Sequence, residues 1–148
     1  GRFTGEPAYF RHLEAATREI LEGLGRAPAD YDWAVFHQPN VAFPYKAAAE
    51  LGFSREQLAP GLLVNEIGNT YAGASLVGLA AILDVAEPGQ RILHCSFGSG
   101  AGSDAFSWIV TERLPERRAL APLTAAYLAR RQVIDYGLYA RYRGILHT

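Results

Sequence analysis

Residues Ile92-Leu93-His94-Cys95-Ser96-Phe97-Gly98-Ser99-Gly100-Ala101-Gly102-Ser103-Asp104-Ala105-Phe106-Ser107-Trp108-Ile109-Val110 decide between two kinds of α/β fold. Their glycines invite comparison with the G-x-G-x-x-G loop of dinucleotide-binding proteins. The sixth position is Ser103, however, and such a loop has to open a helix. Here it runs into Asp104–Val110, which is rich in aromatic and β-branched residues and reads as strand. Arg91 to Phe97 and Asp104 to Glu112 therefore read as two strands joined by a tight, hairpin-like loop at Gly98–Ser103. Its glycines serve either the turn itself or the close approach of the backbone to a ligand.

Working outward, helices and strands alternate. Pro7 to Leu24 carries Phe10, Leu13, Thr17, Ile20, Leu21 and Leu24 at helical spacing, with Gly23 and Gly25 as its stop. Trp33-Ala34-Val35-Phe36 is too short for a helix and reads as a buried strand ending at His37-Gln38-Pro39-Asn40. Pro44 to Leu51 reads as a helix closed by Gly52, and Ser54-Arg55-Glu56-Gln57 fits a capping box opening another. Leu62 to Ile67 reads as a strand, Gly68-Asn69-Thr70 as a turn, and Tyr71 to Ala86 as a helix. The small residues of that helix (Ala72, Gly73, Ala74, Ser75, Gly78, Ala80, Ala81) predict close packing within the fold. The alternation indicates an α/β layered fold.

Composition limits the classes available. With 148 residues, 49% hydrophobic and 20% charged at a net charge of −1, the chain is one ordinary globular domain and not a disordered one. No run of about eighteen apolar residues predicts a membrane span. The single cysteine, Cys95, excludes a disulfide framework and a cysteine-only zinc site. The chain starts at Gly1, contains no methionine, and shows no signal-peptide pattern over Gly1–Pro7. The expectation is a processed start or a piece of something longer. Charge is uneven: residues 1–112 hold 7 Lys and Arg against 13 Asp and Glu, whereas residues 113–148 hold 7 Arg against Glu116 and Asp135. That basic, tyrosine-bearing tail reads as a terminal helix docked by its aromatics, or as a surface for a phosphate-bearing ligand or an acidic partner. Nucleic acid is a poor match, because the rest of the chain is acidic.

Besides the glycine loop, two polar clusters earlier in the chain are candidate sites. His37 follows a buried strand, where α/β sheets place ligands, and imidazole there can hydrogen-bond a carbonyl or move a proton. The alternative is a histidine satisfied by the backbone. Asn69 and Thr70 stand at the mouth of a helix, where either serves as an N-cap or as part of a site for developing negative charge.

Taken in order, Phe36-His37-Gln38-Pro39-Asn40, then Ile67-Gly68-Asn69-Thr70-Tyr71-Ala72-Gly73-Ala74-Ser75, then Ser96 to Phe106 resemble the C-terminal half of thiolase-fold condensing enzymes. Among these the chain is most similar to 3-hydroxy-3-methylglutaryl-CoA synthases of the archaeal type, over nearly its whole length and including the segment Ile134-Asp135-Tyr136 to Arg143-Gly144. That likeness implies one C-terminal thiolase-like domain over residues 1–148 with a basic Tyr- and Arg-rich tail at 113–148. The resemblance implies a thiolase-like α/β fold, a layered mixed sheet with a buried helix and further packed helices. It implies an acyltransferase of the mevalonate pathway that acts in the cytoplasm, without a dissociable cofactor, on acetyl-CoA and acetoacetyl-CoA. The resemblance further implies an acetyl-cysteine intermediate on a cysteine of the N-terminal half, which also supplies a glutamate base, with His37 expected to polarise the acetoacetyl ketone and Asn69 expected to hold the thioester carbonyl. By the same resemblance Gly98 and Ser99 are expected to line the acyl pocket with their amides, and Lys46, the only lysine, lies near a position for CoA phosphates, the alternative being an exposed helix charge. Ala42 stands where relatives often carry a lysine, and Phe97 where the loop commonly has a tyrosine. The implied partners are the chain's own N-terminal half, a second copy as homodimer, a thiolase and a small zinc-ribbon and OB-fold protein. Cys95, inside a strand, is expected to be structural and this chain alone inactive. Two alternatives stay open: a ketoacyl synthase III-like enzyme and a non-catalytic acyl-CoA-binding or scaffold module.

Overall fold

The computed structural model describes Glu6, residues 8–98, Gly100 and residues 102–145. Among these residues three strands form one sheet in the order β1 (Trp33–Phe36), β2 (Arg91–Cys95), β3 (Ala105–Ile109). β1 and β2 are parallel, with Phe36 opposite Cys95. β2 and β3 are antiparallel, with His94 opposite Phe106 and Ile92 opposite Trp108. The glycine loop is the hairpin the sequence predicts, closed by paired backbone hydrogen bonds between Gly98 and Gly102.

Strand alternation sorts the core into two layers. Ala34, Phe36, Leu93 and Cys95 face α1 (Tyr9–Leu24) and α2 (Ala42–Leu51), whose Tyr9, Phe10, Leu13, Leu21, Ala47, Ala48 and Leu51 complete one cluster. Val35 and Ile92 face the opposite side, where α5 (Ala74–Leu83) packs through Ile82 beside Ala86 and Val110. Helix punctuation follows the sequence. Gly25 ends α1 at φ 59°, with Arg26 N–H returning to the Leu21 carbonyl, and Gly52 ends α2 at φ 88°. Ser54 and Gln57 form the reciprocal capping box of α3 (Arg55–Leu58).

Among the described glycines, Gly78 of α5 has the least room. A Cβ on Gly78 would lie 2.6 Å from Val35 Cγ2, 2.7 Å from the Gly61 carbonyl oxygen and 2.8 Å from Gln38 Nε2. Only hydrogen fits there.

The structure differs from the sequence reading at three places. Leu62–Ile67 is not a strand but leads into the short helix α4 (Val64–Ile67). The Leu63 and Val64 amides go to the Gln38 side chain rather than to a neighbouring strand, and Glu66 and Ile67 N–H return to the Leu63 carbonyl. The helix expected from Tyr71 to Ala86 begins as a 3-10 turn at Tyr71–Gly73 and becomes α5 only at Ala74, because Tyr71 sits at φ 52°, outside the helical region. Nor is α5 enclosed on all sides: Ala74, Ser75, Gly78, Ala81 and Ile82 are buried, while Leu76 is 59% exposed. Among the described residues the tail forms three short helices, α6 (Leu114–Arg118), α7 (Thr124–Leu128) and α8 (Tyr136–Tyr142), and Tyr136, Tyr139 and Tyr142 are exposed rather than docked. What ties its start down is charge. Arg118 donates to the Leu83 and Ala86 carbonyls at the end of α5, and Thr124 N–H donates to Asp84 at 2.5 Å. The Arg118 contacts serve the acceptor-rich C-terminus of α5, and the Asp84 carboxylate takes the first amide of α7.

Candidate active site

His37 continues the parallel ladder one residue past β1, its N–H donating to the Cys95 carbonyl at 2.9 Å. Its own carbonyl accepts a hydrogen bond from the Tyr9 hydroxyl at 2.6 Å. The ring is held between Tyr9 and Phe97, with centroids 6.2 and 5.8 Å away. Burial lowers the pKa of His37, so the imidazole is neutral in this setting. Among the described residues no side chain or carbonyl takes a hydrogen bond from that ring. A neutral imidazole with an uncommitted N–H is a donor awaiting a ligand.

That ligand space is a cavity of about 370 Å³, walled by Tyr9, Phe43 and Phe97 and bordered by His37, Pro39, Asn69, Tyr71, Ala72 and Gly98. The structure thus brings together His37, Asn69 and Gly98, which the sequence separates by dozens of positions. Asn69 is half-buried, and its Oδ1 accepts the Tyr71 N–H at 2.7 Å. That bond orients the carboxamide and leaves its NH2 group as the free donor. The side chain therefore makes a turn of its own and does not cap α5, and Thr70 caps nothing with its hydroxyl.

The other predicted residues fare differently. Gly98 borders the cavity, but its amide is committed to the Gly102 carbonyl at 2.8 Å. It contributes bare surface, not the donor expected of it. Ser99 lies outside the described residues. Lys46 is exposed on α2 and does not border the cavity; its Nζ stands 4.5 Å from the Phe10 ring centroid, behind the aromatic wall. Cys95 is fully buried, its Sγ 3.6 Å from the Leu13 carbonyl. Burial pushes its thiol up to about 12, so it carries no thiolate at neutral pH. Iodoacetamide at pH 8 is accordingly expected to leave Cys95 unmodified in the native protein and to label it once guanidinium unfolds the chain; labelling without denaturant contradicts this placement.

Sequence reasoning missed Tyr9 and Phe43. Each belongs to a helix whose apolar spacing was legible, but which ring reaches the end of β1 depends on how α1 and α2 cross the sheet. Tyr71 was legible only as a helix residue, and its left-handed backbone has no signature in residue type. Gln38 was seen as one of a polar cluster, yet it points away from the cavity into a buried set of backbone groups.

A family model described as "3-Oxoacyl-[acyl-carrier-protein (ACP)] synthase III C terminal" matches residues 21–108. The hydroxymethylglutaryl-CoA synthase of Thermococcus kodakarensis is 59% identical over 143 residues, 97% of this chain but 41% of that protein. The chain thus spans about two fifths of the length of the curated relatives it matches. Among solved structures, the HMG synthase of the curacin biosynthetic pathway in complex with apo donor-ACP superposes with a TM-score of 0.76 at 23% identity, covering 90% of this chain and 37% of that one. The peroxisomal 3-ketoacyl-CoA thiolase of Saccharomyces cerevisiae does so at 0.54 and 19%, covering 68% of this chain and 29% of that one. These two likenesses show the fold, which is thiolase-like.

Proposed function

The chain belongs to the 3-oxoacyl-[acyl-carrier-protein] synthase III C-terminal family, and on that premise we propose that it forms the C-terminal half of a hydroxymethylglutaryl-CoA synthase. The observation that carries the reading is the convergence of two neutral donors, His37 and Asn69, on one aromatic-walled cavity. The relative at 59% identity supports this chemistry over a ketoacyl synthase.

In the proposed reaction the acetyl group is carried as a thioester on a cysteine of the N-terminal half, and a glutamate there removes a proton from its methyl carbon. That carbon bonds to C3 of acetoacetyl-CoA, and the C3 oxygen gains negative charge and then a proton. Water cleaves the enzyme thioester and releases the product. His37 donates to the C3 oxygen and Asn69 NH2 to the thioester carbonyl of the acetoacetyl substrate. Donors fixed in advance in a dry site stabilise such charge most effectively.

The missing half also accounts for an apolar face. On the α5 side of the sheet, Phe106 and Trp108 stack on one another beside His94 and are both exposed. Next to them a cavity of about 310 Å³ is lined by Leu79, Leu83, Ile92, Val110 and Leu114. We assign this face to the N-terminal half of the same protein. The partners of the proposed enzyme beyond that half are a second copy, a thiolase and a zinc-ribbon and OB-fold protein, with the exposed Tyr136, Tyr139 and Tyr142 as available contact surface. No helix among the described residues is long and apolar enough to cross a membrane.

The test is product formation. The full-length protein is expected to convert acetyl-CoA and acetoacetyl-CoA to 3-hydroxy-3-methylglutaryl-CoA, and residues 1–148 alone to make none. A 3-oxoacyl product from acyl-carrier-protein substrates favours the ketoacyl synthase instead, and binding without turnover favours a module. The pH profile adds a second check. Because burial holds His37 neutral, the acid limb of kcat is expected below the ordinary histidine value of about 6.5. A limb above 7 contradicts the neutral donor.

A further inference from the structure

The side chain next to His37 carries an inference that rests on the preceding reading and goes beyond it. Gln38 is 3% exposed and its carboxamide has no capacity to spare. Nε2 donates to the Gly61 carbonyl at 2.8 Å and the Ala74 carbonyl at 3.3 Å. Oε1 accepts the Leu63 N–H at 2.7 Å and the Val64 N–H at 2.9 Å. Two donors and two acceptors are all such a group has. The places it holds matter more than their number. Leu63 and Val64 precede the segment that carries Asn69, and Ala74 follows it. One side chain therefore grips both ends of the Asn69 segment while its own backbone is the immediate continuation of His37. Gly78 leaves the room for it, since a Cβ there would stand 2.8 Å from Nε2.

We propose that Gln38 is a positioning residue that sets the separation of the His37 and Asn69 donors across the cavity. It touches no substrate and acts through the backbone it holds. Misplacing a catalytic group by about 1 Å costs about 10²-fold in rate, so the link governs turnover more than substrate capture.

The experiment uses the full-length protein with Gln38→Glu, which keeps the acceptor but loses both donors, and Gln38→Met, which keeps the length and loses both. Condensation kcat is expected to fall by about 10²-fold, with the KM for acetyl-CoA near wild type and faster hydrogen exchange at the Tyr71 amide that Asn69 holds. In a double-mutant cycle the same substitution on an Asn69→Ala background is expected to cost little further, because the group it positions is gone. An unchanged kcat in a folded variant, or losses that simply multiply in the cycle, overturns the proposal. If the wild-type protein makes no condensation product, it is the functional reading that fails, and the exchange rate of the Tyr71 amide still decides whether Gln38 holds Asn69. Should both variants fail to fold, wild-type exchange decides. Leu63 and Val64 amides protected like those of β2 support the link, and amides exchanging like an exposed turn overturn it.

Discussion

Gly78→Ala is expected to destabilise the protein by about 3 kcal/mol, the upper part of the range for forcing an extra carbon into a packed interior. The added methyl meets Val35 Cγ2 on the sheet, the Gly61 carbonyl and Gln38 Nε2, all closer than 3 Å. The carbonyl is backbone and cannot rotate away, and Val35 has few alternative rotamers. Relief requires α5 to lift off β1, which also strips from Gln38 its hydrogen bond to the Ala74 carbonyl. By contrast, Gly98→Ala, where the new Cβ would lie 3.9 Å from the Gly102 carbonyl oxygen, meets only ordinary contact. Denaturant melts of the two full-length variants check the difference. Near wild-type stability for Gly78→Ala contradicts the described packing of α5 on the sheet.

The second large effect is on chemistry. His37→Ala in the full-length enzyme is expected to lower kcat for condensation by about 10²–10³-fold, the loss typical of a single preorganised donor to a developing oxyanion. The fold should tolerate the change, because the bonds at residue 37 run through its backbone: N–H to Cys95, carbonyl from Tyr9. In the proposed mechanism acetylation takes place on a cysteine of the other half, so that half-reaction should proceed. Steady-state kinetics of the two half-reactions separates these cases; equal losses in both point to a structural histidine.

Much of this was legible in the chain. The four residues Trp33–Phe36 are strand because a short apolar run has no other use, and Gly25 and Gly52 stop helices because they tolerate positive φ. His37 and Asn69 could be singled out because polar residues just beyond a strand end or before a buried helix invite a ligand reading, and the order of motifs placed them in a family. What could not be read was set by tertiary choice. Leu62–Ile67 has the apolar content of a strand, yet its amides were claimed by a side chain some 25 residues earlier. The Gly98 amide was spent on its own loop. The tyrosines of the tail gave no hint that they would stand in solvent, since a docked aromatic and an exposed one have the same sequence. Net charge of the tail showed only where arginine is abundant, not that Arg118 would close α5.

The central claim is that this chain supplies the donors of a condensation whose nucleophile lies elsewhere in the polypeptide. Peptide mapping by mass spectrometry of the full-length protein after exposure to acetyl-CoA tests it most directly, repeated after a pulse of acetoacetyl-CoA. The expected result is an acetyl group on a cysteine other than Cys95, discharged by acetoacetyl-CoA in the wild type and retained in His37→Ala. Acetyl on Cys95, or equal discharge in the two proteins, contradicts the claim.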